Sequence, residues 1–190
     1  MADVLKIEDL IKDFNSGATG EIVRTQTTYL DVVCSFPPES SLSQKYRIHY
    51  RGKREFSLDK GDFISLQLLD NHPLLLEYTE PFIAVQLISS VSDKQLFREE
   101  LEYEINQVFG GWRSVEEYNF IPLNKFLEES YGILMEAPKS FAEAVMQAAE
   151  RSGVKLTMLE RHEPKGIFPR VLFLDERYII ADDFRVERIE

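Results

Sequence analysis

KYRIHYRGKREFSLD, residues 45–59, is the stretch on which the reading of the fold turns. Its first half alternates, with Tyr46, Ile48 and Tyr50 on one face and Arg47, His49 and Arg51 on the other. A period of two marks a strand with one face against a core. After Gly52 the apolar positions resume at Phe56 and Leu58. A three-residue loop, Gly52-Lys53-Arg54, sets Tyr50 opposite Phe56 and Ile48 opposite Leu58. It also sets Arg51 opposite Glu55 and Arg47 opposite Asp59. A two-residue turn pairs Tyr50 with Glu55 and mixes the faces. The pattern therefore predicts an antiparallel hairpin closed by the longer loop.

Upstream, EIVRTQTTYLDVVCSF (21–36) is rich in Thr, Val and Ile and ends at Pro37-Pro38. It predicts one long strand with Ile22, Leu30, Val32, Cys34 and Phe36 on its apolar face, then a loop, PPESSLSQ. Cys34 reads as a small core residue. Before it, Val4, Ile7, Leu10, Ile11 and Phe14 repeat at helical spacing over residues 3–14, and the glycines of NSGATG stop the helix. Downstream, FISLQLL (63–69) and FIAVQLI (82–88) are near copies with wholly apolar faces, Ile64, Leu66, Leu68 and Ile83, Val85, Leu87. They predict two neighbouring central strands, covered on both sides and joined by residues 70–81.

The second half of the chain turns helical. Residues 93–108 place Phe97, Leu101, Ile105 and Val108 on one face, with Asp93 to cap the start and Gly110-Gly111 to end it. Ser114 and Glu117 fit a capping box. LNKFLEESYGILM (123–135) carries Leu123, Phe126, Leu127, Tyr131 and Leu134 and predicts a helix. A second helix follows between Pro138 and Gly153. Residues 154–160, 170–174, 177–181 and 184–189 read as strands, with a tight link at Asp175-Glu176-Arg177.

Runs of strands and runs of helices, without strict alternation, predict an α+β fold. A largely antiparallel sheet has an N-terminal helix, several helices follow the main meander, and a small C-terminal antiparallel β element closes the chain. A composition break near 110–113 divides the chain into 1–110 and 111–190, unless the two run on as one continuous domain.

The chain has 190 residues, 44% hydrophobic and 29% charged, an ordinary globular composition. A net charge of -11 repels phosphate backbones, so nucleic acid is not an expected partner. A single cysteine excludes an intramolecular disulfide. The opening MADVLKIEDLIKDF lacks a basic region followed by an apolar stretch, and no run of about 18 apolar residues occurs. A soluble, cytoplasmic protein with no membrane association is the expectation.

No G-x-S-x-G elbow, phosphate loop or zinc-spaced His pair is present, and no cofactor or metal is expected. His49 reads as a sheet-surface residue and His162 as part of a polar loop. Arg47, Arg51, Lys53 and Arg54 form a local basic cluster, a solvated face or a dock for an acidic partner. LLDNHPLLLEY (68–78) places Asp70, Asn71 and His72 before Pro73. These are turn-forming residues first, and a histidine with an acidic orienter second. The connection is longer than a hairpin requires. Trp112 and Arg113 follow a Gly-Gly pair and are residue types that anchor interfaces.

The expected binding residues are therefore Asp70, His72, Tyr78, Trp112 and Arg113. The function they point to is non-catalytic binding of a protein partner or a small ligand. The alternatives are an enzyme with His72 as general base, and a structural or assembly subunit.

Overall fold

The computed structural model describes residues 4–36, 43–129, 131–163 and 168–189. The first elements are β1 (Val4–Leu5), α1 (Ile7–Phe14), β2 (Thr19–Thr25), β3 (Tyr29–Ser35), β4 (Gln44–Arg51), β5 (Glu55–Ser57), β6 (Gly61–Phe63) and β7 (Leu66–Leu69). Next come α2 (Leu76–Thr79), β8 (Phe82–Leu87), α3 (Lys94–Phe109), α4 (Leu123–Phe126), β9 (Gly132–Pro138), α5 (Lys139–Ser152) and β10 (Leu156–His162). β11 (Arg170–Leu174), β12 (Arg177–Ala181) and β13 (Asp183–Ile189) close the chain. Every strand pairing among the described residues is antiparallel, which with the helices makes an α+β fold.

Two compact units divide the chain, residues 1–72 with 168–190, and residues 73–167. The boundary expected near 110 falls inside the second unit: the chain turns at Gly110-Gly111 without leaving it. The C-terminal strands belong with the N-terminal ones.

The first unit is a ring of strands. One sheet runs β1-β13-β4-β3-β2-β6 and the other β5-β12-β11-β7. β12 passes into β13 at Asp182, and β6 passes into β7 at Ile64-Ser65, so the sheets share continuous chain at both sides. The ring β2-β3-β4-β13/β12-β11-β7/β6 closes back on β2, which removes most free edges. Its core holds Ile22, Leu30, Val32, Cys34, Ile48, Phe63, Leu172, Ile179 and Val186, with Ile7, Leu10 and Phe14 of α1 packed into the same cluster. Phe14 stacks on Phe63 with centroids 5.0 Å apart.

Polar groups hold the corners. The Asp175 carboxylate accepts from the Ile64 and Ser65 amides at 3.1 and 2.8 Å, which leaves Ile64 exposed and not on a core face. Asp182 N donates to Arg51 O, and Arg54 N to Ile180 O, both at 2.9 Å.

The hairpin predicted over 45–59 does not form. β4 lies between β3 and β13, while β5 pairs with β12 in the other sheet. Gly52 turns the chain with φ of 65°, and Arg54 is captured by β12. β13 also offers β4 a full-length partner, Asp183↔Arg51 through Ile189↔Lys45. It keeps the apolar face, with Phe184 opposite Tyr50 and Val186 opposite Ile48, and it sets Glu187 opposite Arg47. A distant strand thus satisfies the same alternation better than the local one.

The long strand read over 21–36 is a hairpin of β2 and β3. Gln26 N donates to Tyr29 O at 2.8 Å, closing a turn that carries no Gly, Pro or Asn to announce it. The near copies at 63–69 and 82–88 are not neighbours: β7 edges a sheet of the first unit and β8 is central in the second.

In the second unit the sheet runs β10-β8-β9, with α5 packed on it and α3 packed on α5. Asp93 caps α3 by accepting from Leu96 N at 2.9 Å, and Gly110 ends it in the left-handed region at φ 57°. α5 starts after Pro138 and ends before Gly153 at φ 70°, as its sequence predicts. Phe97, Leu101, Phe109, Phe126, Phe141 and Val145 are buried in this core. Burying one such side chain contributes about 1.5–3 kcal/mol.

The helix predicted over 123–135 shortens to α4, and Gly132 at φ 141° opens β9 instead. Tyr131 is exposed and Leu134 is buried on a strand. β10 extends to His162, beyond the predicted strand end, and is the third strand of this sheet. Residues 37–42, in the predicted loop after the long strand, and 164–167, after His162, lie outside the described residues.

Candidate binding site

Residues 73–79 bring Glu77 to the site. Pro73 opens a 3-10 turn, Pro73–Leu75, which runs on into α2. Proline suits this first position because its missing N–H would find no helical partner there. Leu74 and Leu75 are buried, and Thr79 Oγ1 donates to Leu75 O at 3.1 Å.

Glu77 on α2 is the centre of a charge cluster within the second unit. Arg113 Nε lies 3.0 Å from Glu77 Oε1, and its Nη1 lies 3.4 Å from Glu117 Oε2. The Nε contact is one of charge, without the alignment of a hydrogen bond. Tyr118 donates its hydroxyl to the same Glu77 Oε1 at 2.6 Å. Glu117 Oε1 accepts from Ser114 N at 2.8 Å, the capping box read from the sequence. The Arg113 side chain is only 8% exposed, against 26% for Glu77 and 44% for Glu117. Burial pushes the Tyr118 hydroxyl far above its ordinary range, and the bond to Glu77 pushes it further. A Tyr that stays protonated is a fixed donor, and donation to a carboxylate is among the stronger hydrogen bonds.

An open hollow of about 540 Å³ adjoins this cluster. α3 contributes Arg98, Glu102, Ile105 and Asn106, which share one helical face. The segment after α3 contributes Gly111 and Arg113–Glu116, and the start of α4 contributes Pro122–Asn124. Ile105, Val115 and Leu123 are buried and form an apolar floor. The cations of the lining are already engaged, Arg113 as above and Arg98 by donating to Asn124 Oδ1. Glu102 and Glu116 are exposed and make no ion pair among the described residues. Beside Pro122, Phe120 is 59% and Ile121 40% exposed.

The five expected binding residues are divided between the two units. Asp70 and His72 end the first unit, and Tyr78, Trp112 and Arg113 belong to the second. Asp70 is exposed. His72 is half-buried, with its ring 4.8 Å from that of Phe173, and burial lowers its pKa from the ordinary histidine value. Tyr78 and Trp112 are half-buried, and Trp112 N donates to Phe109 O at 3.0 Å.

Arg113 is the expected residue that meets the 70–81 connection, through Glu77. Sequence reasoning missed Glu77 and Tyr118, and read Glu117 only as half of a capping box. The i,i+4 spacing of Arg113 and Glu117 was a usable signal, but Glu77 is 36 residues from Arg113 and gave none.

Two arginines of the basic cluster of the first unit are held by carboxylates. Arg47 donates to both Asp31 carboxylate oxygens, at 2.7 and 3.1 Å, and Arg54 pairs with Asp182 at 3.1 Å. Lys53 lies over the Phe56 ring, 4.1 Å from its centroid. His49 Nε2 lies 3.0 Å from Glu187 Oε2 on the sheet surface. Cys34 is fully buried, and desolvation pushes its thiol up to about 12. Among the described residues no helix is long and apolar enough to cross a membrane, and no group of three or more His, Cys, Asp or Glu is placed to hold a metal ion. Comparison with protein-family models, with curated proteins and with solved structures finds no match.

Proposed function

We propose that this chain is a non-catalytic binding protein, and that the hollow beside Arg113 receives a basic, partly apolar segment of a protein partner. The observation that carries the reading is the lining itself: an apolar floor, engaged arginines, and two uncommitted carboxylates, Glu102 and Glu116. A ligand that buries Leu or Val side chains on Ile105, Val115 and Leu123 while offering Lys or Arg to those carboxylates satisfies both parts of the surface. The charge background supports it, since residues 94–129 hold eight acids and four basic residues. Complementary potential raises the encounter rate and selects the partner more than it adds affinity. Exposed Phe120 and Ile121 extend the apolar surface next to the hollow, which fits a protein segment better than a small ligand.

Isothermal titration with two blocked 12-residue peptides tests the proposal, one alternating Leu with Lys and one alternating Leu with Glu. Saturable binding of the Lys peptide, weakened at least tenfold in a Glu102→Gln/Glu116→Gln variant, supports it. Equal binding of both peptides, or none of either, overturns it.

A further inference from the structure

We propose that the outer face of the first unit carries a second, separate site, an oxyanion hollow between Thr28, His49, Arg51 and Arg185 suited to a phosphoryl group. The sheet register places these groups. Tyr46, Ile48 and Tyr50 of β4 are buried, so Arg47, His49 and Arg51 face outward. On the neighbouring β13, Asp183 sits opposite Arg51 and Arg185 opposite His49. Directly paired residues share a face, so these four side chains form one block. Thr28, from the β2–β3 turn, walls the block where Tyr50 N donates to Thr28 O at 2.9 Å. The hollow has a volume of about 230 Å³.

The two arginines are the exposed ones of this face, and they share the single carboxylate of Asp183. Arg47 is held by both Asp31 oxygens and lies 4.2 Å from the Tyr29 ring centroid. Arg51 is 79% exposed, and its ion contact, to Asp183, is 4.0 Å long. Arg185 is 70% exposed and spends its Nε on Asp183 at 3.3 Å, which leaves both terminal nitrogens without an acceptor among the described residues. Asp183 lies in the same hollow, but three guanidinium groups share it: Arg51, Arg185 and Arg170, the last at 3.9 Å. Arg170 also reaches Glu8 at 3.0 Å. His49 is matched by Glu187.

With Arg170 matched by Glu8, one carboxylate, Asp183, stands between the two exposed guanidinium groups of Arg51 and Arg185, one fewer acid than bases at this spot on a chain of net charge -11. Two exposed guanidinium groups that share one carboxylate leave donors an anion would complete. The guanidinium fork matches the geometry of a phosphoryl group, with two parallel donors to two oxygens, which a point charge on lysine does not. The Thr28 hydroxyl adds a donor that can rotate to a third oxygen. The hollow has room for the group that carries the phosphate as well as for the phosphate.

Free orthophosphate and a phosphate monoester share this chemistry, and the test separates them. Wild-type chain is titrated with inorganic phosphate and with phenyl phosphate, at constant ionic strength set with chloride, following the His49 ring protons by NMR. Saturable shifts with at least one ligand are expected. Binding weakens at least tenfold in Arg51→Gln and in Arg185→Gln, and is unchanged in Arg54→Gln, whose arginine is held by Asp182. Tighter binding of phenyl phosphate assigns the site to a monoester, and equal or weaker binding assigns it to the free ion. Shifts that do not saturate below the chloride concentration, or that survive both arginine substitutions, overturn the proposal. Thermal melts of the three variants within about 2 °C of wild type show that the fold is intact, as expected for exposed surface substitutions.

Discussion

Removing the charge of Glu77 tests the construction of the candidate site. In Glu77→Gln the Tyr118 hydroxyl keeps an acceptor of the same shape, but Arg113, only 8% exposed, loses the carboxylate charge 3.0 Å from its Nε. A hydrogen bond to a charged group contributes about 1.5–3 kcal/mol, and stripping one partner from a buried pair costs about 3–5 kcal/mol. Glu77 is 26% exposed and Glu117 remains, so the lower part of the first range applies: a loss of about 2 kcal/mol. At about 2–4 °C per kcal/mol for a chain of this length, Tm falls by about 4–8 °C. Urea denaturation followed by the emission of Trp112, the single tryptophan, reports on the second unit directly. The decisive form is the double-mutant cycle with Arg113→Met. If the pair is coupled as drawn, the two losses fail to add by about 1–2 kcal/mol. Additivity within about 0.3 kcal/mol means that the two groups do not interact in solution, and refutes the cluster.

Three further outcomes follow from the geometry. Cys34, buried and with its thiol pushed up to about 12, stays unlabelled by a thiol reagent in native buffer at neutral pH and labels fully in denaturant; rapid native labelling contradicts its place in the core. Gly20→Ala drives a Cβ to within 2.2 Å of Phe63, which is locked against Phe14, and costs about 2–3 kcal/mol in a chemical melt, partly recovered by adding Phe63→Leu; an unchanged midpoint refutes the packing. Burial lowers the His72 pKa in the folded state, so as pH falls below the ordinary histidine value of about 6.5 the unfolded chain takes up a proton before the folded one does. The His72 contribution to stability is therefore present above that value and lost as pH drops through it, and His72→Gln flattens the Tm-against-pH curve over that range; parallel curves count against it.

What was legible in the sequence was local. α3 and α5 announced themselves through their caps and their apolar faces, because a helix satisfies its hydrogen bonds within one segment. The inward face of β4 was equally clear from its alternation. Strand partners were not, because β4 shows the same face whether it pairs with β5 or with β13, 132 residues further on at the Arg51↔Asp183 match. The likeness of 63–69 and 82–88 reflected two strands under the same burial rule in separate sheets, not adjacency. At the site, Arg113 was picked for its residue type and Ser114–Glu117 for their spacing. Glu77 was hidden because it meets Arg113 through tertiary packing alone. The 70–81 connection carries the chain from one unit into the other, and Glu77 lies on it.

The central claim is that the hollow beside Arg113 selects its partner by charge. It is tested most directly by inverting that charge and reading Trp112, which sits between lining residues Gly111 and Arg113. In wild type, the peptide alternating Leu and Lys changes Trp112 emission saturably and the peptide alternating Leu and Glu does not. In Glu102→Lys/Glu116→Lys the preference reverses. A preference that stays the same after inversion, or emission that responds to neither peptide, contradicts the account.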